Sequence, residues 1–350
     1  MKALRWHGAG DVRLAEVDEP LLLPGTAIVE VSFCGLCGTD VHEYAHGPVM
    51  IRPGGHPLSG ARPPITLGHE FSGRVVELDG EWPGVAVGTR VVADPCLRCG
   101  TCRWCLRGEY HICARGGSIG LAADGGLARF VRVPLIQLHP IPDAVSDQHA
   151  ALAEPLAVGL HAATRAQIAP GDSVLVLGAG PIGLAALIGA RLSGASAIFV
   201  SEPNPARAQV ARTMGATEVF DPGTDDVRSL VFTRTGRIGP DAAIDGTGRP
   251  EAIALGLRCL RRGGRMAVAG ISATDLTVDL RQLVLYERTL VGSLGYNFDI
   301  PRMLEVMAAG QIDVSPLVSE VRPLSAGVAT LEELSTPNHH IKVLLTPLET

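Results

Sequence analysis

The stretch SVLVLGAGPIG at residues 173–183 constrains the fold more than any other part of the chain. Residues 174–178 form a continuous apolar run ending in glycine, which suits a strand covered on both faces in a parallel sheet. Gly178, Gly180 and Gly183 then spell G-x-G-x-x-G, with Pro181 and Ile182 inside the motif and an apolar, alanine-rich helix expected over 184–192. Gly178 permits a tight turn, Gly180 lets a pyrophosphate approach the backbone, and Gly183 allows helix and strand to pack closely. The free amides of the helix N-terminus then meet the diphosphate. On its own the glycine motif says little. Here a second strand expected at 196–200 leads to Glu202, about 20 residues past the last glycine, where a carboxylate meets an adenosine ribose. A dinucleotide site is the reading, with NAD favoured because the carboxylate would repel a 2′-phosphate.

After this motif the units alternate. Helices are expected at 205–214, 224–233 and 250–260, and strands at 217–220, 242–245, 264–269 and 289–293, which makes a doubly wound α/β sheet. Before it, residues 1–145 read as short strands (27–33, 73–78, 89–93, 127–133) punctuated by glycine and proline, followed by a helical stretch at 146–166. The last 55 residues are too few for a third domain and are expected to return to the first. The expected division is therefore 1–155 plus 296–350 as one mostly β domain, with 156–295 inserted as the nucleotide-binding domain. A chain of 350 residues with 46% apolar content has the core for both. A net charge of −6 without basic runs gives no nucleic-acid surface, and no apolar run reaches membrane-spanning length. The N-terminus has no signal-peptide core, so the cytoplasm is the expected location and the eight cysteines are expected to stay reduced.

Four of those cysteines, Cys99, Cys102, Cys105 and Cys113, are spaced C-x2-C-x2-C-x7-C in a glycine- and arginine-rich loop. Four thiolates close a tetrahedral zinc with no open position, a structural site, whose charge Arg98, Arg103, Arg107 and Arg115 are placed to balance. Cys96 opens an alternative run, Cys96–Cys99–Cys102–Cys105, faintly like an iron–sulfur motif, though Leu106 stands where a proline belongs. A second, scattered set comprises Cys37 in CGTDVH, His69 and Glu70 in GHE, and Glu154 in EPL. A catalytic zinc takes about three protein ligands and keeps one position open, which this set satisfies. Each member also has a plain alternative: Cys37 a buried thiol or half of a C-x-x-C pair with Cys34, His69 a strand-end hydrogen bonder, Glu154 a helix-start acid.

GLCGTDVHEY (35–44), ITLGHEFSG (65–73), the four-cysteine loop, AEPLAVGLHA (153–162) and VLVLGAGPIG (174–183) together resemble the zinc-dependent medium-chain alcohol and polyol dehydrogenases from end to end. HEYAHGPVMI, VSEPNPAR and LVLYERTLVGSLGY resemble, more narrowly, the (R,R)-butanediol dehydrogenase and acetoin reductase group. The resemblance implies a GroES-like catalytic domain formed by both chain ends with an inserted Rossmann domain, and a homodimer or homotetramer. It implies two zinc ions per chain, one structural and one catalytic. Cys37 and His69 match the catalytic ligands, and Glu70 and Glu154 match two acidic positions whose share in coordination varies among relatives. Thr39 and His42 match a proton relay, and Arg207 is compatible with NAD. His46 and His56 have no match and read as loop histidines. The implied reaction is hydride transfer between a secondary alcohol and NAD, with a vicinal diol or hydroxyketone such as 2,3-butanediol or acetoin the expected substrate. Sorbitol-like polyols, L-threonine or simple alcohols are alternatives, as is a non-catalytic nucleotide-binding or crystallin-like relative.

Overall fold

The computed structural model, which describes residues 1–271 and 274–348, divides into the units Pro155–Asp299 and Met1–Glu154 with Ile300–Thr350. The first is built on six parallel strands, Ser173–Leu177, Ala197–Ser201, Glu218–Phe220, Ala242–Asp245, Arg265–Val268 and Thr289–Gly292. Numbered along the chain, they stand in the order 3-2-1-4-5-6. Strand order reverses beside Ser173–Leu177, the switch point at which such sheets leave a crevice for ligands. Val174 to Leu177 are buried, as the apolar run requires. Gly178 adopts φ +88°, and a Cβ on Gly183 would overlap the carbonyl of Gly178, so the turn into the helix Pro181–Leu192 admits only glycine at both places.

Element ends depart from the sequence pattern where side chains capture backbone. The helix expected from residue 224 starts at Val227, because Asp221 and Asp225 close a turn first and Asp226 then caps the helix through the Ser229 amide. The expected strand 127–133 begins only at Phe130, since Leu127 spends its backbone groups on Leu4 and Leu67. The expected helix over 146–166 is two, Asp147–Ala150 and Ala153–Arg165.

The other unit is organised by Thr26–Gly35, antiparallel to Glu70–Leu78, Phe130–Pro134 and Lys342–Thr346. A smaller sheet of Lys2–Gly8, Asp11–Glu16 and Ile65–Thr66 shares its core, which includes Leu4, Val29, Phe71 and Leu345. None of these N-terminal strands before residue 26 was legible beforehand, because their alternation is interrupted by Arg5, Arg13 and turn glycines. No helix among the described residues is long and apolar enough to cross a membrane.

Register in this sheet creates a buried ion pair. Gly35 pairs with Glu70 on one side and Leu344 on the other, and a Cβ at Gly35 would overlap a Glu70 carboxylate oxygen. Through the space this glycine leaves, Lys342 Nζ donates to both Glu70 oxygens at 2.7 and 2.6 Å and to the Leu36 carbonyl at 3.0 Å. Both side chains are at most 2% exposed. Burial pulls the Lys342 pKa down, but the charges of Glu70, Cys37 and Glu154 and the hydrogen bond to Glu70 together more than reverse it, so the ammonium is held. Lys342→Met strands a buried carboxylate and is expected to cost about 3–5 kcal/mol in metal-free protein. Adding Glu70→Gln should recover most of the loss. All three tryptophans, Trp6, Trp82 and Trp104, lie in this unit, so fluorescence-monitored urea unfolding reads it directly.

Candidate active site and metal centres

The helix Gly38–His46 carries much of the first site. Cys37 is its N-cap, and Asp40 at the third helical position accepts the Cys37 amide at 2.9 Å, so the thiol is fixed at the start of a turn. Asp40 and Glu43 are the buried residues of this helix. The other Asp40 oxygen stands 3.7 Å from Nδ1 of His69. Neither atom has a hydrogen-bond partner among the described residues, and the contact between them is longer than a hydrogen bond. Cys37, His69 and Glu70 each offer a ligand atom within 4.8 Å of the others. Glu154, in the first turn of Ala153–Arg165 and buried, lies outside that trio yet close enough to act on the charge of His69. Burial disfavours a charged His69, but Cys37, Asp40 and Glu154 push its pKa well above the ordinary histidine value. A buried site that draws in positive charge this strongly, with a thiol, an imidazole and a carboxylate converging, fits a divalent zinc. The carboxylate behind the imidazole is the arrangement that orients a ligating histidine. Asp40 and Lys342 were not singled out from the sequence. The i+3 position after Cys37 could have signalled the first, and nothing local signals the second.

Thr39 lies beside the thiol, its hydroxyl 3.7 Å from Cys37 Sγ. His42 is exposed on the same helix, its ring 6.4 Å from that of His46. His56 is buried, its Nε2 pairs with the Gly116 carbonyl at 3.1 Å, and it belongs to neither ligand group.

Cys99, Cys102, Cys105 and Cys113 form the second cluster, their sulfurs within 4.8 Å of one another. Two edges measure 3.8 Å (Cys102–Cys113) and 4.0 Å (Cys99–Cys105). A tetrahedron with Zn–S bonds of about 2.3 Å has sulfur–sulfur edges of about 3.8 Å, so the tetrad fits zinc as it stands. Amides of Cys99 and Cys102 point at Cys113 and Cys99 sulfurs. Without a cation the thiols cannot all ionise: the Thr101 amide, helped by Arg115, lowers Cys99 to about 5, while burial and neighbouring thiols push Cys105 to about 12. Cys96 lies outside the group, in the short strand Cys96–Leu97, which separates it from the iron–sulfur alternative. The expected ring of compensating arginines is only partly realised. Arg115 faces Cys99, but Arg98 pairs with Asp94 and stacks 4.2 Å over Tyr110, and Arg107 pairs with Glu109, because a carboxylate or ring face is within reach of each.

In the other unit, Gly180 caps the helix Pro181–Leu192, and a Cβ there would meet nothing nearer than Arg207 Nη1 at 3.9 Å, leaving bare backbone for a phosphate group. Glu202, buried just past the strand Ala197–Ser201, accepts the Ala179 amide at 2.6 Å and the Asn204 amide at 2.8 Å. Its carboxylate is thus already fastened to the glycine loop. Asn204 caps the helix Pro205–Thr213, which carries Arg207.

Two family models match the chain, an alcohol dehydrogenase GroES-like domain over residues 23–143 and a zinc-binding dehydrogenase domain over 181–309. An (R,R)-butanediol dehydrogenase of Bacillus subtilis (strain 168) is 36% identical over 91% of this chain and 92% of its own. The crystal structure of 2R,3R-butanediol dehydrogenase from Bacillus subtilis superposes with a TM-score of 0.93 at 33% identity, covering 99% of each chain. A structure from Sinorhizobium meliloti 1021, described as a zinc-binding dehydrogenase and bound to NADP, gives 0.90 at 30% identity with 99% of each chain covered. With a GroES-like sheet bearing the thiol–imidazole–carboxylate trio and a doubly wound sheet bearing the glycine loop, the chain belongs to the zinc-binding medium-chain alcohol dehydrogenase family and is an oxidoreductase.

Proposed function

We propose that this enzyme oxidises a short vicinal diol to its hydroxyketone, and the reverse, with NAD, 2,3-butanediol and acetoin being the substrate pair. The observation that carries the dehydrogenase chemistry is the convergence of half-buried Cys37 with buried His69 and Glu70, beside the Thr39 hydroxyl. Cys37, His69 and a carboxylate from Glu70 or Glu154 would hold a catalytic zinc, and Cys99, Cys102, Cys105 and Cys113 a structural one. When bound, the zinc supplies Lewis-acid polarisation of an alcohol or carbonyl oxygen and the nicotinamide exchanges the hydride. Thr39 takes the substrate proton, and His42, exposed on the same helix, delivers it to solvent. Asp40 holds the His69 ring while this happens.

The narrower substrate reading rests on similarity to the butanediol dehydrogenases and on the chemistry of short methyl ends, which need no extra polar partners. A six-carbon polyol left without those partners would lose roughly 1–3 kcal/mol per unpaired group. The NAD preference rests on Glu202, whose anionic carboxylate opposes a 2′-phosphate. Assembly into a dimer or tetramer is part of the same reading. Among the described residues Thr289–Gly292 pairs only with Arg265–Val268, leaving a sheet edge for a second copy.

A kinetic panel tests the substrate. kcat/KM for 2,3-butanediol and acetoin should exceed that for sorbitol, L-threonine and 2-butanol, and a higher value for sorbitol or threonine would replace the diol assignment. On the cofactor, wild-type enzyme should favour NAD, and Glu202→Ser should erode the preference; equal kcat/KM with NADP in the wild type would remove the role given to Glu202. Elemental analysis should find two zinc ions per active chain. Cys105→Ser should lose one of them together with stability, and Cys37→Ser should lose activity while the fold persists. One zinc in fully active protein would contradict the scheme.

A further inference from the structure

In the unit of six parallel strands, the glycine loop and Glu202 lie at the C-terminal ends of the strands, just past Ser173–Leu177 and Ala197–Ser201. The opposite ends carry a cluster of arginines that the dehydrogenase reading leaves without a task. Arg288 directly precedes Thr289–Gly292, and Arg262 stands just ahead of Arg265–Val268. Arg258 lies in the last turn of the helix Pro250–Cys259, and Arg228, at the start of Val227–Arg234, donates through Nε to the Arg258 carbonyl at 3.3 Å. Arg228, Arg258 and Arg288 all act on the buried Cys259 thiol, and Arg228 and Arg262 act on Arg288, so the four charges sit close together.

Arg288 is only 9% exposed, and neutral groups alone hold its guanidinium. Nη1 donates to Gln282 Oε1 at 2.7 Å, Nε to the Arg261 carbonyl at 3.3 Å, and Nη2 to the Leu260 carbonyl. Its Cζ lies 4.6 Å from the centre of the Tyr286 ring, and that of Arg262 lies 4.9 Å from the same ring. The ring orients both cations but neutralises neither. Burial, together with the guanidiniums of Arg228 and Arg262, holds the Arg288 pKa below the ordinary arginine value, while Tyr286 and Cys259 oppose the shift. None of the four arginines pairs with a carboxylate among the described residues, although the chain has 36 acidic residues against 30 Lys and Arg. Their neighbours do pair: Arg261 with Asp241 and Arg234 with Glu218, each at 2.6 Å. The other acids at hand are Asp226, which caps its helix through the Ser229 amide, and the exposed Glu287. Taking a cation out of water is unfavourable, and only an opposite charge close by offsets it. Here the protein supplies none, and three exposed guanidiniums add to the field.

Guanidinium forks match phosphate oxygens bidentately. Four such charges exceed what one phosphate group of about −2 can balance, so the fitting anion carries several. We propose that Arg228, Arg258 and Arg262, backed by the fixed charge of Arg288, form a binding site for a chain of two or more phosphoryl groups, at the end of the sheet opposite the glycine loop. Bound there, the anion ties the helices Val227–Arg234 and Pro250–Cys259 to the turn before Thr289–Gly292 and stabilises this unit by mass action. A free polyphosphate and the triphosphate of a nucleotide share this chemistry.

The test is isothermal titration of inorganic tripolyphosphate into zinc-loaded enzyme saturated with NADH, which keeps the cofactor's own phosphate site filled. One tripolyphosphate should bind per chain, with an affinity that falls as ionic strength rises. Hydrogen exchange should slow around residues 226–230, 258–263 and 282–290 in the complex. Arg258→Gln/Arg262→Gln, a change of two exposed side chains, should weaken binding about tenfold or more while steady-state kcat and KM stay as in wild type. Arg234→Gln/Arg249→Gln removes the same charge from exposed, carboxylate-paired positions and should bind as wild type does. Adenosine triphosphate separates the two sources: an affinity no higher than that of tripolyphosphate means that the phosphate chain alone is read, and a higher one, lost in the Arg258/Arg262 variant, assigns the site to a nucleotide. Absence of binding in the wild type overturns the proposal. So does an equal loss in both double variants, which leaves only net charge or chelation of zinc by the probe. An oligomer that dissociates in the Arg258/Arg262 variant, with no anion bound by the wild type, overturns it too and gives the patch to carboxylates of a second copy.

Discussion

The ion pair between Lys342 and Glu70 is the constraint on which the catalytic unit turns. Taking a lone ammonium or carboxylate out of water costs several kcal/mol, and only close, multiply hydrogen-bonded partners offset it. Here one ammonium serves both carboxylate oxygens and a carbonyl, so each charge is tolerated only while the other is present. The partners are 272 residues apart, so the pair forms only when the final strand docks antiparallel to Thr26–Gly35. The carboxylate it fixes is also a member of the trio that could hold a metal. Site geometry consequently depends on the C-terminal strand having reached its register.

What was legible in the sequence had local causes. Most of the parallel strands could be read because they are short apolar runs close to glycine, aspartate or proline, and Ala242–Asp245 matches the expected range to the residue. Thiol spacing located the second cluster because its ligands fall within a single loop. What was missed depends on contacts between distant residues. No local pattern around Lys342 marks it as the partner of Glu70. The arginines of the cysteine loop looked equivalent by spacing, yet Asp94, Tyr110 and Glu109 divert two of them from the thiols. Leu127 had the composition of a strand residue and lost that role to backbone bonds with Leu4 and Leu67.

Donor number explains why the four cysteines of the loop and the single thiol of Cys37 would suit different kinds of site. In the loop, four sulfurs meet one another with N–H donors around them, and every ligand position of a tetrahedron is taken by the protein. At Cys37 the sulfur meets an imidazole and a carboxylate, and the next nearest group on the helix is the hydroxyl of Thr39. Three ligands would leave a tetrahedral ion one position short, and the Thr39 hydroxyl, 3.7 Å from the Cys37 sulfur, would be at hand for proton transfer with an incoming oxygen. Zinc would thus be closed by one donor set and left open by the other.

The nucleotide-binding unit couples recognition to its own turn in a comparable way. Glu202 is fastened through one oxygen to the Ala179 amide inside the glycine motif and through the other to Asn204, which caps the next helix. Each carboxylate oxygen has a second acceptor site, so a ribose hydroxyl can be met without releasing either amide. The residue proposed to discriminate the cofactor is therefore also tied to the glycine loop proposed to bind its phosphates. Exchanging Glu202 for a neutral side chain to admit a 2′-phosphate removes a charge and a tether together, leaving a buried Ala179 amide without its acceptor. A change of cofactor in this fold accordingly needs a second substitution that returns an acceptor to Ala179, and Ser201, at the end of the neighbouring strand and already accepting the Gly178 amide through its carbonyl, marks the position from which one could reach.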